Sequence, residues 1–181
     1  IRMIDAIHEG LGMSMEKNPS MVCMGQDIGA YGGVFKVTDG FVDRFGKERV
    51  RSTPLCESAI VGAALGLSIS GRKSMMEMQF ADFVTCGFNQ IVNNLAKIHW
   101  RWNQSADVVV RMPTGGGVGA GPFHSQSIEA WFFHVPGLKL CPFYTSDHAA
   151  HLTRLPLVRV PIPQHHARIQ IFSLSTYPDY I

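Results

Sequence analysis

Glu57 stands in the run Thr53-Pro54-Leu55-Cys56-Glu57-Ser58, where a short strand gives way to an apolar, alanine-rich helical stretch. A carboxylate in the first turn of a helix is favoured by the helix dipole and needs no further role. The same carboxylate, if partly buried, has its pKa raised and can hold or exchange a proton. The residues alone leave both open. His124 separates the stretch Gly115-Gly116-Gly117-Val118-Gly119-Ala120-Gly121 from Ser125-Gln126-Ser127. A histidine leaving a flexible loop ahead of a helix suits acid–base or anion-binding work; alternatively, backbone groups satisfy its ring. The glycine stretch, read as G-x-G-x-x-A, lacks the acidic residue ~20 positions on that would hold a ribose hydroxyl. It is expected to be a flexible or close-packed turn. No G-x-x-x-x-G-K-[ST] occurs, which excludes a P-loop. His148, His151, His165 and His166 have few carboxylates near them and no helix to align them, so no metal site is expected there. His134, inside Trp131-Phe132-Phe133-His134, is read as structural.

These residues need a scaffold, and the apolar pattern supplies one. Residues 1–17 carry Ile1, Ile4, Leu11 and Met15 on one helical stripe that stops before Asn18-Pro19. A buried strand is expected at Met21–Met24, a short helix at Asp39–Phe45, a strand at Val50 and a helix packed closely on both sides over Glu57–Ile69. Lys73–Phe80 alternates as a strand, and Asp82 is expected to cap a long helix reaching Lys97. Val108-Val109-Val110 is a strand core, and Ser125–Phe133 a helix. Short apolar strands alternating with helices predict an α/β fold whose parallel sheet is covered on both faces. In such sheets, sites gather outside the carboxyl ends of the strands.

Composition narrows the function classes. The chain of 181 residues has a net charge of +2 and 17% charged residues, which asks for neither nucleic acid nor an anionic membrane. Its four cysteines, Cys23, Cys56, Cys86 and Cys141, form no C-x-x-C pair, so reduced thiols in a cytosolic-type compartment are expected. No apolar run reaches the ~18 residues of a membrane span, and no signal-peptide pattern opens the chain. It begins with Ile1 rather than Met, and the start is read as truncated. After Asp147 there is no lysine or glutamate, half of the eight histidines occur, and Pro156, Pro161, Pro163 and Pro178 interrupt any helix. No coherent period is read there. The chain is therefore divided into a domain at 1–147 and a divergent tail at 148–181.

Taken in order, several segments resemble the β subunit of the E1 component of 2-oxoacid dehydrogenases. They include Met24-Gly25-Gln26-Asp27, Tyr31-Gly32-Gly33-Val34-Phe35, Phe45 through Val50, Thr53 through Gly66 and Glu77 through Phe83. Asn89 through Asn93, Arg111-Met112-Pro113, His124 through Ser127 and Pro136 through Lys139 continue the match. The Gly-Gly-Val-Phe and Gln-Phe-Ala-Asp runs look closer to the branched-chain branch than to the pyruvate branch. The resemblance implies a doubly wound, transketolase-like α/β domain that binds the aminopyrimidine of thiamine diphosphate. It assigns Glu57 to N1′ of that ring, Leu55, Gln79 and Phe83 to its lining, and His124 to the reacting centre. The whole protein would decarboxylate a 2-oxoacid oxidatively and pass the acyl group to lipoyl-bearing E2. It would do so only with an α subunit in an α2β2 heterotetramer, in bacterial cytoplasm or the mitochondrial matrix.

Departures from the family pattern matter as much. No Gly-Asp-Gly…Asn diphosphate–magnesium motif is present, and Thr38-Asp39-Gly40 only echoes it. In the family that motif belongs to the α subunit, so magnesium is expected on the partner. Carbonyls of Ala106, Val108 and Val109 leave a potassium ion possible. The family's continuation after Asp147 is missing, and 148–181 is read as translated out of frame, costing little stability if removed. The chain alone is expected to be inactive. A transketolase-like or deoxyxylulose-phosphate synthase domain and a non-catalytic binding fragment are the alternatives, as is a pyruvate-specific β subunit.

Overall fold

In a computed structural model, residues 2–143 and 167–173 are described. Six parallel strands form one sheet in the order β2-β1-β3-β4-β6-β5. They are β1 (Val22–Gly25), β2 (Val50–Ser52), β3 (Ser74–Glu77), β4 (Val108–Thr114), β5 (Leu138–Phe143) and β6 (Ala167–Ser173). Around them lie α1 (Met3–Lys17), α2 (Phe41–Phe45), α3 (Glu57–Ile69), α4 (Val84–Asn89), α5 (Ile98–Trp102) and α6 (Ala130–Phe133). The doubly wound α/β architecture expected from the sequence is the observed one.

Side-chain alternation explains why these strands read as nearly continuous apolar runs. Val22, Met24, Met76, Val108, Val110 and Met112 enter one core with Ile60, Val61, Ala64 and Leu65 of α3. Their neighbours Cys23 and Met75 point the other way, into a second core with Leu11 and Met15 of α1 and Phe41 of α2. A strand with a core on each face has no solvent side, so apolar residues occupy both phases of its period. For that reason β3 is buried at all four positions rather than alternating, and it is shorter than the expected Lys73–Phe80. Helix α3 buries Ile60, Val61, Ala64, Leu65 and Ser68, while Ala59, Ala63, Gly66 and Ile69 are exposed; it is packed on one side, not on both.

Other expectations need correction. Asp82 caps no helix: it lies in a 3-10 turn, Ala81–Phe83, and its carboxylate is used elsewhere. The long helix toward Lys97 is broken into α4, a π-helical stretch Gln90–Leu95, and α5. Only Ala130–Phe133 of the expected helix 125–133 is helical, and His134 after it is exposed. Strand β5 was not read from the sequence. Neither was β6, which falls in the segment where no period was found and pairs with both β4 and β5. Ala167, Ile169 and Ile171 do alternate with Arg168 and Gln170, and no proline interrupts them. The four tail histidines lie outside the described residues. No described helix is long and apolar enough to cross a membrane.

Candidate functional site

Strand order decides where a site forms. The chain leaves β1 toward β2 on one side, and later returns to place β3 on the other side of β1. At such a reversal, the connections after the two strands diverge and leave a crevice at their carboxyl ends. Gln26 and Asp27 follow β1 directly, and Gln79 follows β3 closely. Gln79 Nε2 donates to Asp27 Oδ2 at 3.0 Å, joining the two lips of the reversal. Asp27 holds a positive φ of 56°, a backbone state that costs a non-glycine residue energy and is tolerated chiefly where the surroundings enforce it. The strands themselves meet closely here. A Cβ on Gly25 would lie 2.5 Å from the carbonyl oxygen of Glu77, so only glycine can end β1.

Glu57 opens α3 just after β2, as its sequence context predicts. It is half-buried, and Gln26 Nε2 donates to its Oε1 at 3.0 Å. Gln26 is itself only 3% exposed, and its Oε1 is buried without a partner among the described residues. The carboxylate is thus held by a neutral donor, and no cation is paired with it among the described residues. Gly87 of α4 lies so close that a Cβ there would sit 3.4 Å from the Glu57 carbonyl oxygen. That contact ties the start of α3 to the helix that follows Phe83.

Phe83 and His124 are brought together. Their rings stand edge to face at 5.4 Å, and the His124 ring also meets Phe80 at 5.1 Å and 90°. Phe80 further touches Phe35, so the corner is walled by aromatic edges contributed by three connections. His124 is held by its loop: its N–H donates to the Gly121 carbonyl, and Ser125 Oγ accepts from the Ala120 N–H at 3.0 Å. Gly119 and Gly121 both have positive φ, which explains the glycines of this loop as turn residues. Leu55, in the turn between β2 and α3, is 77% exposed. It contrasts with the other candidate positions, which are half-buried or hydrogen-bonded. Thr38-Asp39-Gly40 leads into α2, and Thr38 Oγ1 donates to the Ile28 carbonyl, a structural use for that echo of a phosphate motif.

Beneath this surface lies a second carboxylate. Glu77 ends β3 and meets Arg111 Nη1 of β4 at 2.6 Å, with the two side chains 3% and 5% exposed. Burial pushes the thiol of nearby Cys23 up to about 12, with the Glu77 charge adding to the rise and Arg49 opposing it. That cysteine is a core residue, not a nucleophile.

The family described as the pyrimidine binding domain of transketolase matches residues 1–163. The chain belongs to this family. Similar proteins include the 2-oxoisovalerate dehydrogenase subunit beta of Bacillus subtilis, 48% identical over 139 residues, which are 76% of this chain and 42% of that one. Another is the mitochondrial 2-oxoisovalerate dehydrogenase subunit beta 2 of Arabidopsis thaliana, 42% identical over 77% of this chain and 40% of its own. The pyruvate dehydrogenase E1 component subunit beta of Leifsonia xyli is 42% identical over 76% of this chain and 42% of its own. The chain thus spans about two-fifths of the length of these relatives. Among solved structures, a split-gene transketolase in an inactive beta4 tetramer aligns with a TM-score of 0.72. It covers 100% of this chain and 54% of its own at 19% identity, a likeness of fold alone.

For this pyrimidine-binding domain, sequence reasoning did not single out Gln26, Asp27, Phe80 or Asp82 as site residues. Each lay within a quoted segment, and the available signal was position: all four follow the carboxyl end of a central strand.

Proposed function

We propose that this domain supplies the β-subunit half of a thiamine-diphosphate site in a 2-oxoacid dehydrogenase E1. The observation that carries the reading is Glu57, a half-buried carboxylate at a helix start, held by the neutral amide of Gln26 at 3.0 Å. A carboxyl group so placed, with a neutral donor rather than a guanidinium beside it, is within the chemistry of general acid–base residues. The residues around it fit a flat, protonatable heteroaromatic ring. Phe83 and Phe80 offer aromatic walls, Leu55 offers exposed apolar area, and the buried Oε1 of Gln26 offers an unused acceptor. On this reading Glu57 holds a proton for N1′ of the ring, Leu55, Gln79 and Phe83 line it, and His124 holds or moves a proton at the reacting centre. When bound, thiamine diphosphate supplies the electron sink for loss of carbon dioxide.

The relatives named for 2-oxoisovalerate favour a branched-chain 2-oxoacid as substrate, with pyruvate the alternative that the pyruvate-dehydrogenase relatives keep open. Diphosphate and magnesium belong, in this proposal, to an α subunit in an α2β2 assembly that passes the acyl group to lipoyl-bearing E2. A potassium ion held by the carbonyls of Ala106, Val108 and Val109 stays part of this proposal. Bacterial cytoplasm or mitochondrial matrix is the proposed location. We place the proposed pyrimidine-binding residues within 1–147 and read 148–181 as diverged in sequence, although the family match runs to residue 163 and β6 of the latter segment enters the sheet. The alternative reading is a binding module that meets an α subunit without supporting turnover. Co-expression with a cognate α subunit separates the two. Cofactor-dependent carbon dioxide release, greatest with a branched-chain 2-oxoacid, is the expected result. A stable complex without release would favour the binding fragment.

A further inference from the structure

The segment Phe80–Phe83 grips residues 124–126 three times: Phe80 and Phe83 stand edge-on to the His124 ring, and Asp82 Oδ1 accepts from the Gln126 N–H at 3.1 Å. From this juxtaposition we propose that Asp82 is a positioning residue, the latch that fixes the glycine-rich segment after β4 and thereby places His124. The inference rests on the reading of His124 as a site residue.

Burial and connectivity both point to a latch. Asp82 is only 5% exposed, an expensive place for a carboxylate unless it is paired or hydrogen-bonded. It sits in the 3-10 turn rather than at a helix N-terminus, so capping does not explain it. Its Oδ2 is buried without a hydrogen-bond partner among the described residues, leaving the Gln126 N–H as the side chain's described bond. The other face of the same residue is also held. Thr114, fully buried at the end of β4, donates through Oγ1 to the Gln126 carbonyl. Gln126 is therefore pinned from both sides, and the intervening loop closes on itself between Thr114 and Gln126. Within that loop Gly115, Gly119 and Gly121 all have positive φ, while Phe123 is 73% exposed. A glycine-rich loop of this kind samples many conformations unless its end is fixed, and fixing the peptide two residues beyond His124 removes most of the ring's freedom.

The test uses the full chain and two variants, Asp82→Ala and Asp82→Asn, with amide exchange at Gln126 and chymotryptic cleavage after Phe123 as readouts. A hydrogen bond to a charged group is lost in Asp82→Ala, so both rates should rise roughly 10- to 100-fold. Asp82→Asn keeps an acceptor oxygen without the charge and should fall between parent and alanine. Amides of β3 should exchange at the parental rate. Unchanged exchange at Gln126 in either variant overturns the latch, and so does an equal rise across β3, which would mean general destabilisation. If Asp82→Ala does not fold, the asparagine variant alone decides by the same criterion. Loaded with the α subunit and cofactor, Asp82→Ala should lose kcat with KM little changed. A loosened loop with parental kcat would support the latch and defeat the reading of His124 instead.

Discussion

Glu57 and Glu77 are two glutamates a short way apart in the fold, yet their surroundings prepare them for opposite work. Glu77 ends a strand buried on both faces, is 3% exposed, and faces a guanidinium at 2.6 Å from the adjoining strand. Glu57 begins a helix, is half-buried, and faces a neutral amide at 3.0 Å. Breaking a buried ion pair by removing one partner is strongly destabilising, because the other charge is left uncompensated. Glu57 has no such partner among the described residues. The partner, more than the depth of burial, separates the two carboxylates: one ties neighbouring strands together, and the other is proposed to serve N1′ of the cofactor ring.

Substitutions at the two positions should therefore fail in different ways. The largest effect is expected from Glu57→Gln in the assembled protein: cofactor activation should fall by ~10²–10⁴ with the melting temperature almost unchanged. Parental exchange of the cofactor's C2 proton in that variant would end the assignment. Arg111→Met should do the reverse, costing roughly 3–5 kcal/mol because it breaks a buried ion pair and leaves Glu77 without its partner. By calorimetry that is a fall of about 6–20 °C for a chain of this size. Adding Glu77→Gln to Arg111→Met should restore much of it, whereas adding Glu57→Gln should restore nothing.

Truncation after residue 147 sharpens the comparison from the sheet's side. It removes β6, whose Gln170 pairs with Arg111 on β4, so the support of the buried ion pair weakens. A drop of several degrees is expected, at about 2–4 °C per kcal/mol lost. The expectation from sequence is the opposite, removal at little cost, and the melting temperature of the truncated chain decides between them.

Cys23 gives a test by pH alone, with no effect expected below pH 9, because its thiol is held up to about 12 by burial first and by the Glu77 charge second. The folded pKa lies above the ordinary 9.0, so the neutral thiol's contribution is intact below pH 9. It is lost as pH rises from about 9 toward about 12, because there only the unfolded chain gains by ionising. Urea midpoints measured across that range should fall less steeply in Cys23→Ala than in the parent. At pH 8.5, iodoacetamide should modify exposed Cys86 well before Cys23.

Much of the scaffold was legible because local rules and tertiary structure agree there. The helix over Glu57–Ile69 was legible with its observed bounds, since its apolar, alanine-rich run starts after a proline turn and holds no interior proline, despite Gly62 and Gly66. The strand cores at Val22 and Val108 were legible from short apolar runs, β-branched throughout only at Val108–Val110, and the one at Val50 from that residue and its neighbours. Asp82 was misread for the opposite reason. An aspartate ahead of an apolar helical run looks like a cap, and nothing local records that the Gln126 N–H lies beside it.

Residue order alone therefore determined the class of fold, the place of Glu57 at a strand-to-helix junction and the glycine loop ahead of His124. All three depend on propensity and period over a few neighbouring residues. Tertiary structure decided which carboxylate meets a cation, which meets an amide and which latches a loop. It also decided that Ala167–Ser173 enters the sheet between β4 and β5. Those outcomes depend on pairings between residues far apart in the chain, such as Gln26 with Glu57 and Asp82 with Gln126. Close packing and the need to satisfy each buried polar group select such pairings, and neither leaves a periodic trace in the sequence.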